Sequence, residues 1–143
     1  MPPKHKTRSS RTRARARSSK AFAGAGSVFL TRRAYFCASH RLDNPAFSRK
    51  WNRDVFGICN NANGHGHNYV IEVIVEGPVD GDSAMLLNLR DLKAVIEREV
   101  IDPCDHKHLN HDVAWLRGIN PTAENLAIAF WRSGDGPTIV LVD

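Results

Sequence analysis

No acidic residue falls in the first 33 positions, which nevertheless hold ten lysines and arginines. No apolar run approaches the roughly 18 residues of a membrane span, and no apolar segment follows the N-terminal charges as a secretory signal requires. Cysteine is scarce: Cys37, Cys59 and Cys104 are an odd count without disulfide-framework spacing. Free thiols in a reducing compartment are therefore expected. What is present is 143 residues, 42% of them hydrophobic, enough for one domain with a core and too few for two comfortable ones.

The formal charge of +5 belongs to one end of the chain. Residues 34–143 hold ten Lys/Arg against all fifteen Asp/Glu, a formal −5. Residues 1–26 are expected to form a disordered basic tail, ahead of a single domain spanning 27–143. The default location is cytoplasmic. The tail's Arg- and Ser-rich composition also suits an organelle transit peptide, non-specific contact with nucleic acid, or translation from an upstream start codon.

Alternation from Ser27 to His40 predicts a first strand, broken at Asn44-Pro45. Pro45 to Asp54 reads as a loop or short helix. The β-branched run Asn68 to Glu76 predicts a second strand, followed by turn chemistry at Gly77-Pro78 and Asp80-Gly81. Met85 to Leu87 reads as a short extended piece. Asn88 can cap a helix whose Leu89, Leu92, Val95, Ile96 and Val100 share one face, with Pro103 as its stop. Cys104 to Val113 then reads as a polar loop. A second helix starts near Thr122 with Leu126, Ala127, Phe130 and Trp131 as its stripe, and ends at Ser133-Gly134-Asp135-Gly136-Pro137. Thr138 to Val142 can form one last strand. The order β-β-α-α-β predicts an α+β fold, an antiparallel sheet with two helices on one face.

The chemistry is concentrated in Cys59-Asn60-Asn61-Ala62-Asn63-Gly64-His65-Gly66-His67-Asn68-Tyr69. Residues i and i+2 of a strand point to one face, so His65 and His67 can offer two imidazoles to one ion. His40 can stand beside them if the two strands form an antiparallel hairpin. Three nitrogens and an open fourth position are the arrangement of a catalytic Zn2+; histidines merely exposed on a strand are the alternative. Gly64 and Gly66 bring no side chain to crowd the site. Cys59 reads either as a small buried hydrophobe or as a thiolate stabilised near the metal, usable as base or nucleophile. Cys37 and Cys104 read as packing residues. Asp105-His106 reads as a carboxylate-oriented imidazole or as part of a solvated loop, as do His108 and His111.

Assembled, these residues make the chain resemble the 6-pyruvoyl-tetrahydropterin synthase family. The matching elements are Phe36-Cys37-Ala38-Ser39-His40-Arg41-Leu42, Phe56 through Tyr69, Asn88-Leu89-Arg90-Asp91-Leu92-Lys93, Asp105-His106-Lys107 and Pro121-Thr122-Ala123-Glu124-Asn125. The resemblance implies a tunnelling fold whose sheets join around a trimer, two trimers stacking into a homohexamer with active sites between subunits. It implies zinc on His40, His65 and His67, with Cys59 as base and Asp105 and His106 completing a proton relay. Glu124, with Thr122 beside it, is implied to hold the pterin. The implied substrate is 7,8-dihydroneopterin triphosphate, and no redox cofactor is needed because side-chain oxidation and ring reduction are internal.

A sister activity of that family makes 6-carboxy-tetrahydropterin on the route to queuosine. The five residues between Cys59 and His65 match the longer spacing of the pyruvoyl branch. The family pattern continues into two strands after the second helix, one carrying a pterin-anchoring glutamate; here one strand fits and no glutamate follows Glu124. A C-terminally truncated, poorly active zinc-binding homologue is therefore a further alternative. His108 stands where the family has asparagine, and Cys104 where it has leucine.

Overall fold

The computed structural model describes residues 26–133 and 139–142. The expected basic tail, apart from Gly26, and the break at residues 134–137 lie outside the described residues. The domain is built on two long strands, β1 (Val28–His40) and β2 (His65–Gly77). They pair antiparallel over their whole length, Val28 opposite Gly77 and His40 opposite His65. Strand β2 starts three residues before the expected Asn68 and so takes in both histidines. Glycine and asparagine had hidden that start.

Alternation decides the two faces. Phe36, Ala38 and His40 of β1 and Tyr69, Ile71 and Val73 of β2 are buried on one side. On the other side Phe29 and Tyr35 are 69% and 65% exposed, and Arg33 pairs with Glu72 across the strands. Two helical segments cover the buried face, so the α+β expectation holds. Strand β4 (Ile139–Val142) pairs antiparallel with β2. The two-residue β3 (Lys107–His108) pairs parallel with β1, so the sheet order is β3-β1-β2-β4 and the sheet is mixed rather than wholly antiparallel.

Helix α1 (Arg49–Phe56) lies in the long β1–β2 connection. The Trp51 N–H donates to its cap residue Ser48 at 3.1 Å. Asn52 is buried and ties the helix to the preceding loop through the Asn44, Phe47 and Ser48 carbonyls. The single turn Gly57–Asn60 follows, carrying Cys59.

Helix α2 (Leu89–Ile96) is capped by Asn88, whose side chain accepts from the Arg90 N–H. Its buried stripe is Leu92, Ile96 and Val100; Leu89 and Val95 face outward. Pro103 does not stop it. The helix widens into a π-turn over Glu97–Ile101, where the Asp102 N–H reaches back to the Glu97 carbonyl, and continues through α3 (Asp102–Cys104). A wide turn ahead of proline accommodates a residue that has no N–H to donate and would crowd the preceding turn. Cys104 is fully buried, which pushes its thiol up to about 12 and leaves it a packing residue.

The segment after Cys104 is less polar than its sequence: Leu109 and Val113 are buried there. Helix α4 (Ala123–Ser133) buries Leu126, Ala129 and Phe130, while Trp131 is 46% exposed. Phe130 meets Phe36 edge-on at 6.2 Å, and Phe36 stacks on Tyr69 at 4.8 Å. This aromatic layer forms the floor beneath the histidines. Met85 to Leu87 is not a strand.

Candidate metal centre

His40 and His65 face each other across the β1–β2 ladder, and His67 stands two residues along on the same face. The three Nε2 atoms converge. His65 Nε2 lies 3.1 Å from His40 Nε2 and 2.6 Å from His67 Nε2. Three imidazole nitrogens this close need a proton or cation between them. Nitrogens bound tetrahedrally to one ion at roughly 2.0–2.1 Å would stand about 3.3 Å apart, so a small adjustment accommodates a metal.

The donors are suitably prepared. The His40 Nδ1–H donates to the Pro121 carbonyl at 2.9 Å, which leaves the Nε2 lone pair for an ion, as outer-sphere partners of ligating histidines do. Tyr69 Oη lies 3.3 Å from the same Nδ1. Burial pushes the His40 pKa down, the Pro121 bond opposes that, and the facing His67 and His65 add to the lowering. The neutral ring is the form a metal takes.

Cys59 Sγ brings the set to four donor atoms, all within 4.8 Å of one another, so the cluster could hold a metal ion. The turn carrying Cys59 is fixed to the end of β1. The Leu42 N–H donates to the Cys59 carbonyl at 2.7 Å, and Asn60 Nδ2 donates to the Leu42 carbonyl at 2.7 Å and to Asp43 at 2.8 Å.

The two glycines act differently from expectation. Gly66 points to the opposite face, and a Cβ there would meet only the Ala38 carbonyl at 3.9 Å. Gly64 is the constrained one. Its φ is +72°, and a Cβ would lie 2.6 Å from the His40 carbonyl and 2.9 Å from His108 Nε2. Gly64→Ala is expected to destabilise the protein by roughly 2–4 kcal/mol through left-handed strain and overpacking. Chemical denaturation of the metal-free protein checks this; a change below about 0.5 kcal/mol would place the strain elsewhere.

A cavity of about 380 Å³ opens beside the cluster, walled by His40, Cys59, His67 and Tyr69, by apolar Leu42, Val55 and Phe56, and by Thr122 and Glu124. The Glu124 carboxyl is held below its usual range by its own backbone N–H and the Thr122 hydroxyl. Thr122 also caps α4, accepting from the Asn125 N–H. Leu42, Val55, Phe56 and Tyr69 are lining residues with no site role assigned from the sequence, although all but Val55 fall within the family-matching motifs; the apolar pair Val55-Phe56 just before Gly57 was the available signal.

Asp105 and His106 are not assembled with Cys59. They sit where the chain enters β3, bonded to Cys37: its N–H donates to Asp105 Oδ1 at 2.8 Å and its carbonyl accepts from the His106 N–H. His106 Nδ1 lies 2.8 Å from Asp105 Oδ2, and the imidazole is largely exposed. The Cys37 and His106 bonds hold the Asp105 carboxyl below its usual range. Cys37 and His106 border a separate cavity of about 600 Å³ that also touches His67 and Asn68. Cys37 is exposed, contrary to a packing role, and its Sγ lies 3.0 Å from Asn68 Oδ1. The His108 and His111 rings lie 4.3 Å apart at a 32° tilt; neither belongs to the four-donor cluster, although His108 is near enough to His40 to add to the lowering of its pKa.

The family model described as 6-pyruvoyl tetrahydropterin synthase matches residues 29–135. The chain belongs to that family. It is 48% identical over 104 residues to the 6-pyruvoyl tetrahydrobiopterin synthase of Drosophila melanogaster, a match covering 73% of this chain and 62% of that protein. The Homo sapiens protein of the same name is 44% identical over 102 residues, covering 71% of this chain and 70% of the relative. The chain thus spans somewhat under two thirds of the fly protein. The structure of Caenorhabditis elegans 6-pyruvoyl tetrahydropterin synthase superposes with a TM-score of 0.72 at 34% identity, covering 82% of this chain and 95% of that one. All of the cluster, His40, Cys59, His65 and His67, lies inside the segment that matches the family model. Among the described residues no helix is long and apolar enough to cross a membrane.

Proposed function

We propose that this member of the 6-pyruvoyl tetrahydropterin synthase family is a zinc-dependent lyase. It converts 7,8-dihydroneopterin triphosphate to 6-pyruvoyl-tetrahydropterin with loss of triphosphate. The observation carrying this reading is the convergence of His40, His65, His67 and Cys59 beside a cavity that ends at Glu124. Zinc held by the three Nε2 atoms would act as a Lewis acid on the substrate's side-chain hydroxyls, making a neighbouring proton easier to remove.

The chain's own groups then have distinct tasks. Leu42, Val55 and Phe56 exclude water around the flat ring. Glu124, positioned by Thr122, accepts hydrogen bonds from the ring's amino and N–H groups. Cys59 stands within reach of the side chain and takes its proton; a proton is returned to the ring while triphosphate departs, so oxidation and reduction stay within one molecule. Asp105 orients His106 through Nδ1, leaving Nε2 to move a proton. In one chain that pair faces away from Cys59, so its use requires a neighbouring copy. The outward aromatic side chains Phe29 and Tyr35 suit association into a trimer or hexamer.

The 6-carboxy reading has less support. A Haemophilus influenzae protein named 6-carboxy-5,6,7,8-tetrahydropterin synthase is 34% identical over only 53 residues, whereas the fly and human relatives match along 104 and 102 residues. Zinc-loaded protein incubated with dihydroneopterin triphosphate should yield the 6-pyruvoyl product by mass, with one triphosphate released per turnover. Acetaldehyde release would assign the carboxy reaction instead. Neither product from folded, metal-bound protein would sink the reading as an enzyme.

A further inference from the structure

Besides the two cavities that His67 borders, a third, polar one is lined by residues adjacent in sequence to the cluster. A cavity of about 470 Å³ is walled by Arg41, Arg49, Arg53, Gly57, Asn60, Asn61 and Ala62. Arg41 directly follows His40, and Asn60 directly follows Cys59. Two chain segments therefore pass from the metal cluster into this cavity within a single residue, a Cα step of about 3.8 Å. Helix α1 divides the surroundings: Val55 and Phe56 line the cavity beside the metal cluster, while Arg49 and Arg53 line this one.

We propose that this arginine cavity binds the triphosphate of the pterin substrate. The inference rests on the function proposed above and adds where the phosphates go. In dihydroneopterin triphosphate the phosphates hang on the last carbon of the side chain whose hydroxyls face the metal. They must therefore leave the metal centre within a few bonds, on the side away from the ring.

The cavity is built for an anion. Its walls contain three guanidiniums and no carboxylate. Arg41 is fixed in place. Asn110 clamps its backbone, Oδ1 accepting from its N–H and Nδ2 donating to its carbonyl, both at 2.9 Å. Arg41 Nη2 donates to Asp43 Oδ1 at 2.9 Å, and that same oxygen accepts from Asn60 Nδ2. Counting Asp43 against the three arginines leaves a formal +2 facing the cavity. Arg41 Nε is buried and has no hydrogen-bond partner among the described residues. Planar guanidiniums match phosphate oxygens in pairs, which lysines do not.

The test compares wild type, Arg49→Ala/Arg53→Ala and Lys50→Ala, all as full chains at about 0.15 M salt to screen the basic N-terminal stretch. Lys50 shares helix α1 but pairs outward with Asp54, so it controls for loss of charge alone. Inorganic tripolyphosphate is titrated into metal-free protein by calorimetry, because the free anion also chelates zinc. KM for dihydroneopterin triphosphate is measured on the zinc-loaded forms. Losing two charge-assisted contacts should weaken tripolyphosphate binding by about a hundredfold and raise KM comparably, with zinc content unchanged and Lys50→Ala like wild type. Tripolyphosphate affinity and KM unchanged in the double variant would overturn the subsite, as would a wild type that does not bind the anion. Either result leaves a wild type that still makes the pterin product intact as a synthase. Conversely, binding lost in the double variant but no pterin product from wild type would sink the enzyme reading alone.

Discussion

His67→Ala is expected to lower zinc affinity by about a thousandfold and to abolish turnover, while the metal-free protein keeps its fold. The magnitude follows from sharing. A protein site binds zinc with roughly 12 kcal/mol, so removing one of three nitrogens forfeits about 4 kcal/mol, or three powers of ten. His67 is the cleanest of the three to remove. His40 is buried and bonded to the Pro121 carbonyl, so its loss would also unsettle the junction of β1 with α4. His67 instead borders both cavities, where truncation leaves solvent-accessible space rather than a hole in the core. Metal content after gel filtration, with a chelator competition for affinity, reads the outcome. Stoichiometric zinc at wild-type affinity in His67→Ala would remove this residue from the ligand set and the three-histidine site with it.

What the sequence carried and what it hid divide along the range of the interactions. Strand pairing was legible because period-two alternation in Val28–His40 and in Asn68 to Glu76 put the same residues on one face that the ladder buries. The i, i+2 spacing of His65 and His67 put that pair on one face, and His40 joins them through the antiparallel hairpin that the sequence offered only as a condition. Features set by tertiary contacts were not legible. Leu89 and Val95 sit on the expected helical stripe but are exposed, because burial depends on what packs against each turn of α2 and not on its period alone. Strand β3 is too short for any pattern, and its parallel pairing with Ala38 and Ser39 depends on where α3 delivers the chain. That pairing is also what carries Asp105 and His106 to the side of Cys37 and away from Cys59, a separation that no spacing in the sequence encodes. The arginine cavity was hidden for a similar reason. Arg41, Arg49 and Arg53 look like scattered surface charges until α1 folds back against the end of β1.

Cys59→Ala should retain zinc at near wild-type affinity and lose turnover by about 10²–10⁴-fold, the usual range for removing a proton-transfer group. This experiment separates two roles that the geometry leaves adjacent, since Cys59 Sγ lies within 4.8 Å of all three imidazole donors and could serve as base or as fourth ligand. A base must keep its thiolate free to reach the substrate, and a ligand must surrender it to the ion. Cobalt substitution reads the difference directly, because a coordinated thiolate gives an intense sulfur-to-metal charge-transfer band that histidine ligands lack. The expected spectrum of the resting cobalt form has no such band, and it is unchanged in Cys59→Ala. The neighbouring structure favours the base: Cys59 shares the cavity with Glu124 and Phe56, so its sulfur borders the space a ring and side chain would fill, and three nitrogens already leave a fourth position for a substrate oxygen. Undiminished turnover in Cys59→Ala would refute the proton-transfer role. A charge-transfer band that disappears together with the metal would make Cys59 a ligand, and the base would then have to be sought in the His106–Asp105 pair of an adjoining copy.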